Sequence, residues 1–393
     1  MRIGQFIQCI DVTAGGTSTA FLNMLAALRT RPRLNLHAYC TPPVDGDPSA
    51  AEVARRPNDF TCVKGYGRAI GPGPLGRAVV ADVEARKFDL LHLHGLWSPD
   101  LMAAALACAR MGIPYVWEPH GMLIREAYAQ KRWKKELFMS LGMRRALRGS
   151  AALLFVTTEE RDHSRVPSGI HRQKQHVIPL PVQMPGFTPD QAYRLRARTR
   201  FELPPAAPCV VFMGRLHPVK RVELAIRAAS IAAKQLPDLH LLLIGGGDEP
   251  YVQSLRQLAN DSPMKGRIHF AGWVQGDDKW LALAAGDALT LNSVHENFGF
   301  VAVEALCVGT MPVLTDNLAL ADELKRGGVA IIAQGTETTL AAAWVEALHA
   351  NRAAPIGDRG RAWVAANLST AAVGERLETL YDSILADGRG ASR

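Results

Sequence analysis

The sequence predicts an α/β protein built from two doubly wound domains. Short apolar runs alternate with longer alanine- and leucine-rich stretches along the whole chain. The runs are apolar on both faces, as expected for parallel strands covered by helices on either side. A length of 393 residues suits about two domains. The proline-rich piece Pro179–Asp190 interrupts the alternation, which then restarts. We therefore expect two Rossmann-like domains joined by this linker.

Eleven runs are the predicted strands, six before the linker and five after it. The first six are RIGQFIQCI, NLHAYC, DLLHLHG, PYVWEP, ALLFVT and HVIPL. The other five are PCVVFMG, LHLLLIGG, RIHFAG, ALTLNS and MPVLTD. We place the domains at residues 1–185 and 186–366, a C-terminal helix at 367–386 and a disordered tail at 387–393.

The composition bounds the partners and the compartment. A formal charge of +8 favours acidic partners such as nucleotides, phosphates, anionic membranes or nucleic acid. The six cysteines are scattered without a CxxC pair, which indicates reduced thiols in the cytoplasm instead of a disulfide or zinc framework. We expect neither a signal peptide nor a membrane-spanning helix.

Three motifs favour structural interpretations over binding. GPGPLG, Gly71–Gly76, matches GxGxxG, but its two prolines would spoil a pyrophosphate-binding turn, so we predict a flexible loop. Asp45 and Asp47 lie in a turn composition. His92 and His94 share one face of a strand and could bind a metal, but without a third ligand in view we predict strand-end packing. We therefore predict no metal site.

Two other stretches favour phosphate binding. Gly15 and Gly16 follow the first strand and precede a helical run, where backbone N–H groups can approach a phosphate; a plain tight turn is the alternative. Arg215 and Lys220 flank a proline turn after PCVVFM, where a doubly wound sheet binds its ligands. A surface ion pair is the alternative for these two residues.

The stretch HENFGFVAVEAL carries two glutamates within an apolar run. If a helix starts near Phe298, its N–H groups face whatever binds beside ALTLNS. Glu296 then lies at that end, and Glu304 lies about 9 Å farther along the axis. This separation suits the two ends of a nucleoside diphosphate-sugar, with one carboxylate accepting hydrogen bonds from the sugar and the other from the ribose.

In combination, HENFGFVAVEAL, GRLHPVK, EPHGML and the early glycine pair resemble glycosyltransferase family 4, retaining enzymes of the GT-B fold. The resemblance covers essentially the whole chain. It implies two facing Rossmann-like domains with a cleft between them, an N-terminal acceptor-side domain and a C-terminal nucleotide-sugar-binding domain. It also implies a C-terminal helix that crosses back to the N-terminal domain.

The resemblance assigns roles to residues at matching positions. The candidate catalytic residues are Glu296 at the sugar, His120 beside it, and Arg215 and Lys220 at the diphosphate. Glu304 is assigned to the ribose hydroxyls. The full set of candidate donor-binding residues is Gly15, Gly16, Arg215, Lys220, Asn297, Phe298, Gly299, Phe300 and Glu304. Arg221 departs from the pattern, because a glycine often follows the lysine.

The implied function is retaining transfer of a sugar from a nucleoside diphosphate-sugar to a saccharide or lipid-linked saccharide in surface polysaccharide biosynthesis, without a metal or other cofactor. An inactive nucleotide-sugar- or glycan-binding relative is the main alternative. A dinucleotide oxidoreductase lacks a credible GxGxxG, and a nucleic-acid-binding protein lacks a reader motif.

The basic segment Arg125–Arg148 has two possible roles, and one of them is contact with a membrane. Trp133, Leu137 and Leu141 recur at helical spacing in it, and its local charge balance is positive. The segment could lie on the anionic inner face of a membrane, which would make the protein peripheral to it. Alternatively, the apolar face could pack on the sheet of an ordinary domain.

Overall fold

The chain forms two compact α/β units, as the sequence predicts. The computed structural model describes residues 1–12, 16–67, 71–274, 276–294, 296 and 298–390. Unit 1 comprises Met1–Pro181 and Leu368–Arg393, and unit 2 comprises Val182–Asn367. No helix in the described ranges is long and apolar enough to cross a membrane.

Unit 1 is built on a parallel sheet with seven described strands in the order β3-β2-β1-β4-β5-β6-β7. The strands are β1 Arg2–Phe6, β2 Asn35–Cys40, β3 Phe60–Cys62, β4 Leu90–His94, β5 Tyr115–Glu118, β6 Ala152–Phe155 and β7 Gln175–Val177. The helices are α1 Gly16–Arg29, α2 Ser49–Arg55, α3 Pro74–Glu84, α4 Pro99–Met111, α5 Arg125–Ala129, α6 Arg132–Phe138, α7 Arg144–Arg148, α8 Thr158–His163 and α17 Thr370–Gly390.

Unit 2 repeats the design with six described strands in the order β10-β9-β8-β11-β12-β13, again all parallel. The strands are β8 Cys209–Met213, β9 His240–Ile244, β10 Ile268–Gly272, β11 Ala288–Leu291, β12 Met311–Thr315 and β13 Ile331–Ala333. The helices are α9 Gln191–Arg200, α10 Val222–Ala232, α11 Glu249–Asn260, α12 Asp278–Ala284, α13 Phe300–Cys307, α14 Ala321–Arg326, α15 Glu337–Ala353 and α16 Gly357–Asn367.

Each of the eleven predicted runs overlaps a strand, and the structure adds β3 and β13. Both additional strands are three residues long and lie at sheet edges. An edge strand pairs on one side alone, so it can form without the long apolar run that marks a central strand. This is why the sequence pattern missed them.

The C-terminal helix α17 packs in unit 1 against α1. Gly374 allows the close approach, because a Cβ there would lie 2.5 Å from the carbonyl oxygen of Ala27. Arg31 Nε donates to Glu378 at 2.6 Å, and Tyr381 is fully buried. The helix continues to Gly390, and the disorder predicted for 387–393 stays a prediction. Residues 391–393 lie outside the described ranges.

A strained residue fixes the start of α10. Arg221, next to Lys220, adopts the left-handed conformation with φ +51° and ψ +48°. This conformation costs an L-residue roughly 1–2 kcal/mol, which explains why related sequences often have glycine here. The Arg221 guanidinium donates to the Gly335 carbonyl oxygen at 2.7 Å and so ties the strained turn to the loop after β13.

We expect Arg221→Gly to be more stable than Arg221→Ala by about 1 kcal/mol, because both lose the guanidinium contact and glycine alone relieves the left-handed strain. Chemical denaturation of the two variants measures the difference. The matched control is Arg227, an exposed position inside α10, where alanine should be more stable than glycine by about 1 kcal/mol. Greater stability of Arg221→Ala over Arg221→Gly would contradict the strain argument.

Candidate functional site

A partly buried ion pair lies at the carboxyl edge of the sheet in unit 2. Lys220 ends the short 3-10 turn Pro218–Lys220, and its Nζ donates to Glu296 Oε2. Ser293 Oγ donates to the same oxygen at 3.3 Å. The two charged side chains are 19% and 22% exposed, so both are largely, but not completely, desolvated. An incoming anion can therefore reach the lysine and compete with Glu296 for it.

Arg215 adds a second cation two residues after β8. Its side chain is exposed, and the described residues provide no hydrogen bond or ion pair to its guanidinium. The backbone beside it is fixed, since Leu216 N donates to the Gly246 carbonyl oxygen at 2.8 Å. The backbone position of Arg215 is thus fixed, and its guanidinium is available to an anion.

Asn292 positions the loop that carries Lys220, and sequence reasoning missed it. It is buried just past β11, and its Nδ2 donates to the carbonyl oxygens of Lys220 and Arg221 at 3.0 and 2.6 Å. Val294 N also donates to the Val219 carbonyl oxygen at 2.8 Å. Asn292 could have been identified in the sequence as a polar residue directly after the buried run ALTL.

Helix α13 begins at Phe300, two residues later than predicted. Gly299 precedes it with φ +79° and ψ +50°, a left-handed conformation that cannot belong to a right-handed helix. Glu304 consequently lies about 6 Å from the helix start along the axis, instead of the predicted 9 Å. Phe298 is buried, and Asn297 lies outside the described residues.

Glu304 has a partner that the sequence did not suggest. Lys279 Nζ in α12 donates to Glu304 Oε1 at 2.8 Å. The carboxylate is well buried and the lysine about one-third exposed. The assignment of Glu304 to ribose hydroxyls stays a prediction, and it requires that one carboxylate oxygen serve the ligand while the other keeps the lysine.

His120 lies in unit 1, in a buried group of histidines. It has φ +51°, its Nε2 lies 3.2 Å from His94 Nδ1, and its Nδ1 lies 3.4 Å from Glu118 Oε1. Burial lowers the pKa of His120 to about 4, so the ring is neutral at pH 7. Glu160, also missed by sequence reasoning, fixes the following turn by accepting hydrogen bonds from the backbone N–H groups of Gly121 and Val156 at 2.5 and 2.7 Å.

Gly16 begins helix α1, and a Cβ built on it would meet nothing within 4 Å. The backbone there is open to a ligand. Gly15 lies outside the described residues. The prediction that this turn contacts a phosphate is therefore compatible with the space around Gly16 and stays a prediction.

The motifs assigned to structure have clear structural partners. The Gly71–Gly76 loop is anchored instead of flexible, because the N–H groups of Gly67 and Gly73 donate to the buried Asp100 carboxylate at 2.8 and 2.6 Å. Those N–H groups are consequently not available to a phosphate. Asp47 Oδ1 accepts hydrogen bonds from the backbone N–H and hydroxyl of Ser49, as in a turn.

A third side chain, which the sequence did not reveal, lies beside the two strand histidines. His92 and His94 on β4 lie beside Glu118 at the end of β5, and all three side chains are fully buried. Their polar atoms lie within 4.8 Å of one another. The prediction of strand-end packing without a metal stays a prediction.

The basic segment of unit 1 exposes its apolar residues. It consists of α5, α6, a π turn over Met139–Met143 and α7, with a kink at Gly142, instead of one helix. Trp133, Leu137 and Leu141 are 68%, 52% and 49% exposed, so they do not pack on the sheet. Lys135 points inward and donates to the Ala127 carbonyl oxygen.

Comparison with known proteins covers both units. The family model for the glycosyl transferase 4-like domain matches residues 15–181, and that for glycosyl transferases group 1 matches residues 195–363. D-inositol 3-phosphate glycosyltransferase of Nocardia farcinica is 27% identical over 295 residues, which are 72% of this chain and 63% of that protein.

Two further similarities come from a mycobacterial enzyme and a solved structure. The GDP-mannose-dependent alpha-(1-6)-phosphatidylinositol monomannoside mannosyltransferase of Mycobacterium tuberculosis is 27% identical over 234 residues, 57% of this chain and 60% of that protein. The chain thus spans less than two thirds of the length of both relatives. The crystal structure of Anabaena HepE in complex with UDP shares the fold, with a TM-score of 0.79, 18% identity and coverage of 98% of this chain and 100% of that chain. The chain belongs to the group 1 glycosyltransferases, family 4, with two Rossmann-like domains of the GT-B type.

Proposed function

We propose that the chain is a retaining glycosyltransferase that moves a sugar from a nucleoside diphosphate-sugar to a saccharide or lipid-linked saccharide. The observation that carries the proposal is the grouping of Arg215, Lys220 and Glu296 at the carboxyl edge of one parallel sheet. Two cations and one carboxylate match a donor that has two phosphates and a neutral, hydroxyl-rich sugar. Retention is proposed from family membership.

The two cations stabilise the leaving group. Glycosyl transfer passes through an oxocarbenium-like state while negative charge grows on the departing diphosphate. Arg215 is exposed and unpaired among the described residues, so it can grip phosphate oxygens without losing an existing partner. Lys220 is held beside Glu296 and can turn to the diphosphate when it arrives. Positive charge fixed near the leaving oxygen lowers the barrier without any metal ion.

Turning Lys220 toward the donor changes the environment of Glu296. The carboxylate loses its cation and keeps the Ser293 hydroxyl at 3.3 Å. Sugar hydroxyls are donors that can replace the lost contact. Donor binding would thus exchange one hydrogen-bonded arrangement for another, and it leaves no buried carboxylate unpaired.

The base end of the donor can use Trp273. This residue follows β10 and is 63% exposed, which is unusual for an indole in a folded domain. Its ring lies against the backbone of Gly246, where a Cβ would come within 2.4 Å of Nε1. An indole ring that packs on the backbone with one face can stack on a nucleotide base with the other.

Unit 1 offers the acceptor a pocket and a surface. A pocket of about 300 Å³ is lined by Thr17 and Ser18 at the start of α1, by His94 at the end of β4 and by Trp97 after it. Hydroxyls and an indole together suit a saccharide. The mycobacterial relative is named for an acceptor with a lipid anchor, which supports a lipid-linked acceptor here.

The exposed face of the basic segment would meet the membrane that holds such an acceptor. Trp133, Leu137 and Leu141 are exposed on it, and Lys131 and Lys134 are exposed beside them. Apolar side chains gain by entering the lipid boundary, and each near-surface lysine contributes about 1 kcal/mol at an anionic leaflet. We propose peripheral binding to the anionic cytoplasmic leaflet, as part of surface polysaccharide biosynthesis.

Removing either cation should weaken binding of the free nucleoside diphosphate. Arg215→Ala and Lys220→Ala should each raise its Kd at least tenfold, since a charge-assisted contact is worth roughly 1.5–3 kcal/mol. Calorimetry with UDP and GDP on the wild-type protein identifies the nucleotide and then measures the variants. Arg227→Ala and Lys234→Ala, exposed cations of the same unit, are the charge-matched controls. Wild-type affinity in both site variants would refute the diphosphate assignment.

Replacing each of the two glutamates should change the affinity for a different set of ligands. Glu296→Gln frees Lys220, so it should bind the free diphosphate at least as tightly as wild type and the sugar nucleotide several-fold more weakly. Glu304→Gln should weaken both ligands equally. A 2′,3′-dideoxynucleoside diphosphate tests the ribose contact directly, because Glu304→Gln should not change its Kd.

Lys279→Ala is the control for the glutamate pair, because it breaks the Lys279–Glu304 contact while keeping the carboxylate. If Glu304→Gln merely disturbs that ion pair, Lys279→Ala should reproduce its effect on every nucleotide. Equal losses of all ligands in both glutamate variants would reject the division of roles.

Membrane binding should depend on both the apolar side chains and the lysines of the exposed face. Wild type should co-sediment with phosphatidylglycerol vesicles more than with phosphatidylcholine vesicles at low salt. Trp133→Ala combined with Leu137→Ala should reduce binding at all salt concentrations, whereas Lys131→Gln combined with Lys134→Gln should reduce it mainly at low salt.

The membrane test has a control for each component. Leu195→Ala changes a leucine of unit 2 that is 49% exposed, and Lys234→Gln combined with Lys265→Gln removes two exposed charges from the same unit. The controls should bind vesicles like wild type. No preference for anionic vesicles at low salt would rule out this face as a membrane contact.

A further inference from the structure

Two adjacent parallel strands bring three potential metal ligands together in unit 1. His92 and His94 project from the same face of β4, and Glu118 pairs with His94 in the register between β4 and β5. All three side chains are fully buried. Their ligand atoms lie within 4.8 Å of one another.

The distances between these atoms suit coordination better than hydrogen bonding. Glu118 Oε2 lies 3.6 Å from His92 Nε2 and 3.3 Å from His94 Nδ1. Good N–H···O hydrogen bonds measure 2.7–3.2 Å, as a general range. Two ligands about 2.1 Å from a tetrahedral zinc ion lie about 3.4 Å from each other. The observed separations match that edge.

Neighbouring side chains orient both rings. Gln5 Oε1 lies 2.7 Å from His94 Nε2, and an amide oxygen can only accept, so the ring hydrogen is on Nε2. His94 Nδ1 therefore carries a lone pair, which faces Glu118 Oε2 at 3.3 Å and His120 Nε2 at 3.2 Å. Tyr381 OH lies 2.8 Å from His92 Nδ1 and can hold the hydrogen of that ring, which leaves His92 Nε2 to face the carboxylate. Metal-binding histidines are commonly held by this type of second contact.

The inward-facing atoms of His92 and Glu118 are left without hydrogen-bond partners among the described residues. His92 Nε2 and both carboxylate oxygens of Glu118 are buried and make no hydrogen bond within the described part of the chain. A proton on Glu118 could serve one nitrogen and would leave the other facing an oxygen. A divalent cation satisfies both nitrogens and the carboxylate together.

We propose that His92, His94 and Glu118 bind a zinc ion in unit 1. Two imidazole nitrogens with one carboxylate are an ordinary zinc ligand set, and complete burial separates the ion from solvent. His120 lies next to this set, with Nδ1 3.4 Å from Glu118 Oε1, so the ion would also fix the carboxylate that orients His120. The site is independent of the donor-binding residues of unit 2.

The proposal is tested with the metal alone on the full chain. After dialysis against a chelator, the protein should take up about one zinc ion per chain in a titration against a chromophoric chelator, and zinc should raise Tm. Cobalt(II) should give the intense visible bands of tetrahedral nitrogen and oxygen coordination. A wild-type protein without stoichiometric zinc uptake or the cobalt bands overturns the proposal, and this outcome requires no variant.

Variants locate the ion. His92→Gln and Glu118→Gln should each weaken zinc binding at least tenfold, as expected when one of three ligands is lost. The matched control is His240→Gln, since His240 forms a close pair with His269 in unit 2, with Nδ1 and Nε2 2.9 Å apart, to which the described residues add no third ligand. Retained zinc affinity in the first two variants, or its loss in the control, overturns the assignment.

Discussion

Parallel pairing of the strands is the constraint on which both functional regions depend. Every pairing between named strands in either sheet is parallel, so within each unit all carboxyl ends lie at one edge. Most side chains inside the strands are apolar, with Gln5, His92 and Thr290 as buried polar exceptions, and most polar residues begin where the strands end. In unit 2 this brings the loops after β8 and β11 together, with Lys220 and Glu296 on them. In unit 1 it brings the ends of β4 and β5 together, with His94 and Glu118.

The two regions differ in how completely water is excluded, and this difference separates their functions. The Lys220–Glu296 pair retains about a fifth of its exposure, so a ligand or water can replace either partner at a modest cost. Glu118 has no exposure at all, and loss of the zinc ion proposed there would leave a charge or a lone pair uncompensated in the interior. The first arrangement suits a substrate that binds and leaves in every cycle. The buried arrangement around Glu118 suits an ion that remains bound.

The sequence predicted the central strands and the charged groups of the proposed donor site, because both rest on local patterns. Arg215, Lys220 and Glu296 are recognisable from residue type and from their positions after apolar runs. The partners of these groups were not predictable in the same way. Lys279 reaches Glu304 from a different helix, 25 positions away. Glu118 joins His92 and His94 through the register of two strands, and periodicity does not determine which residues of neighbouring strands lie side by side.

The start of α13 shows a related limit. An apolar run indicates that a helix exists, but the left-handed conformation of Gly299 decides where it begins, and the sequence alone did not distinguish this glycine from one inside the run. The same holds for Asn292, whose amide fixes the Lys220 loop through carbonyl groups that every sequence possesses. Charged residues can be identified by type, whereas the neutral residues that position them are identified by contacts.

Arg221 shows how the loop tolerates a departure from the family pattern. Where glycine is common, this chain has an arginine in the same left-handed conformation, at a cost of roughly 1–2 kcal/mol. Two contacts offset that cost: the guanidinium bond to the Gly335 carbonyl oxygen, and the Asn292 amide bond to the carbonyl oxygen of Arg221 itself. A residue that relieved the strain by leaving this conformation would move Lys220 away from Glu296. The backbone shape of this turn is therefore the feature that the proposed donor site requires, and the side chain at position 221 can vary as long as the surrounding contacts preserve it.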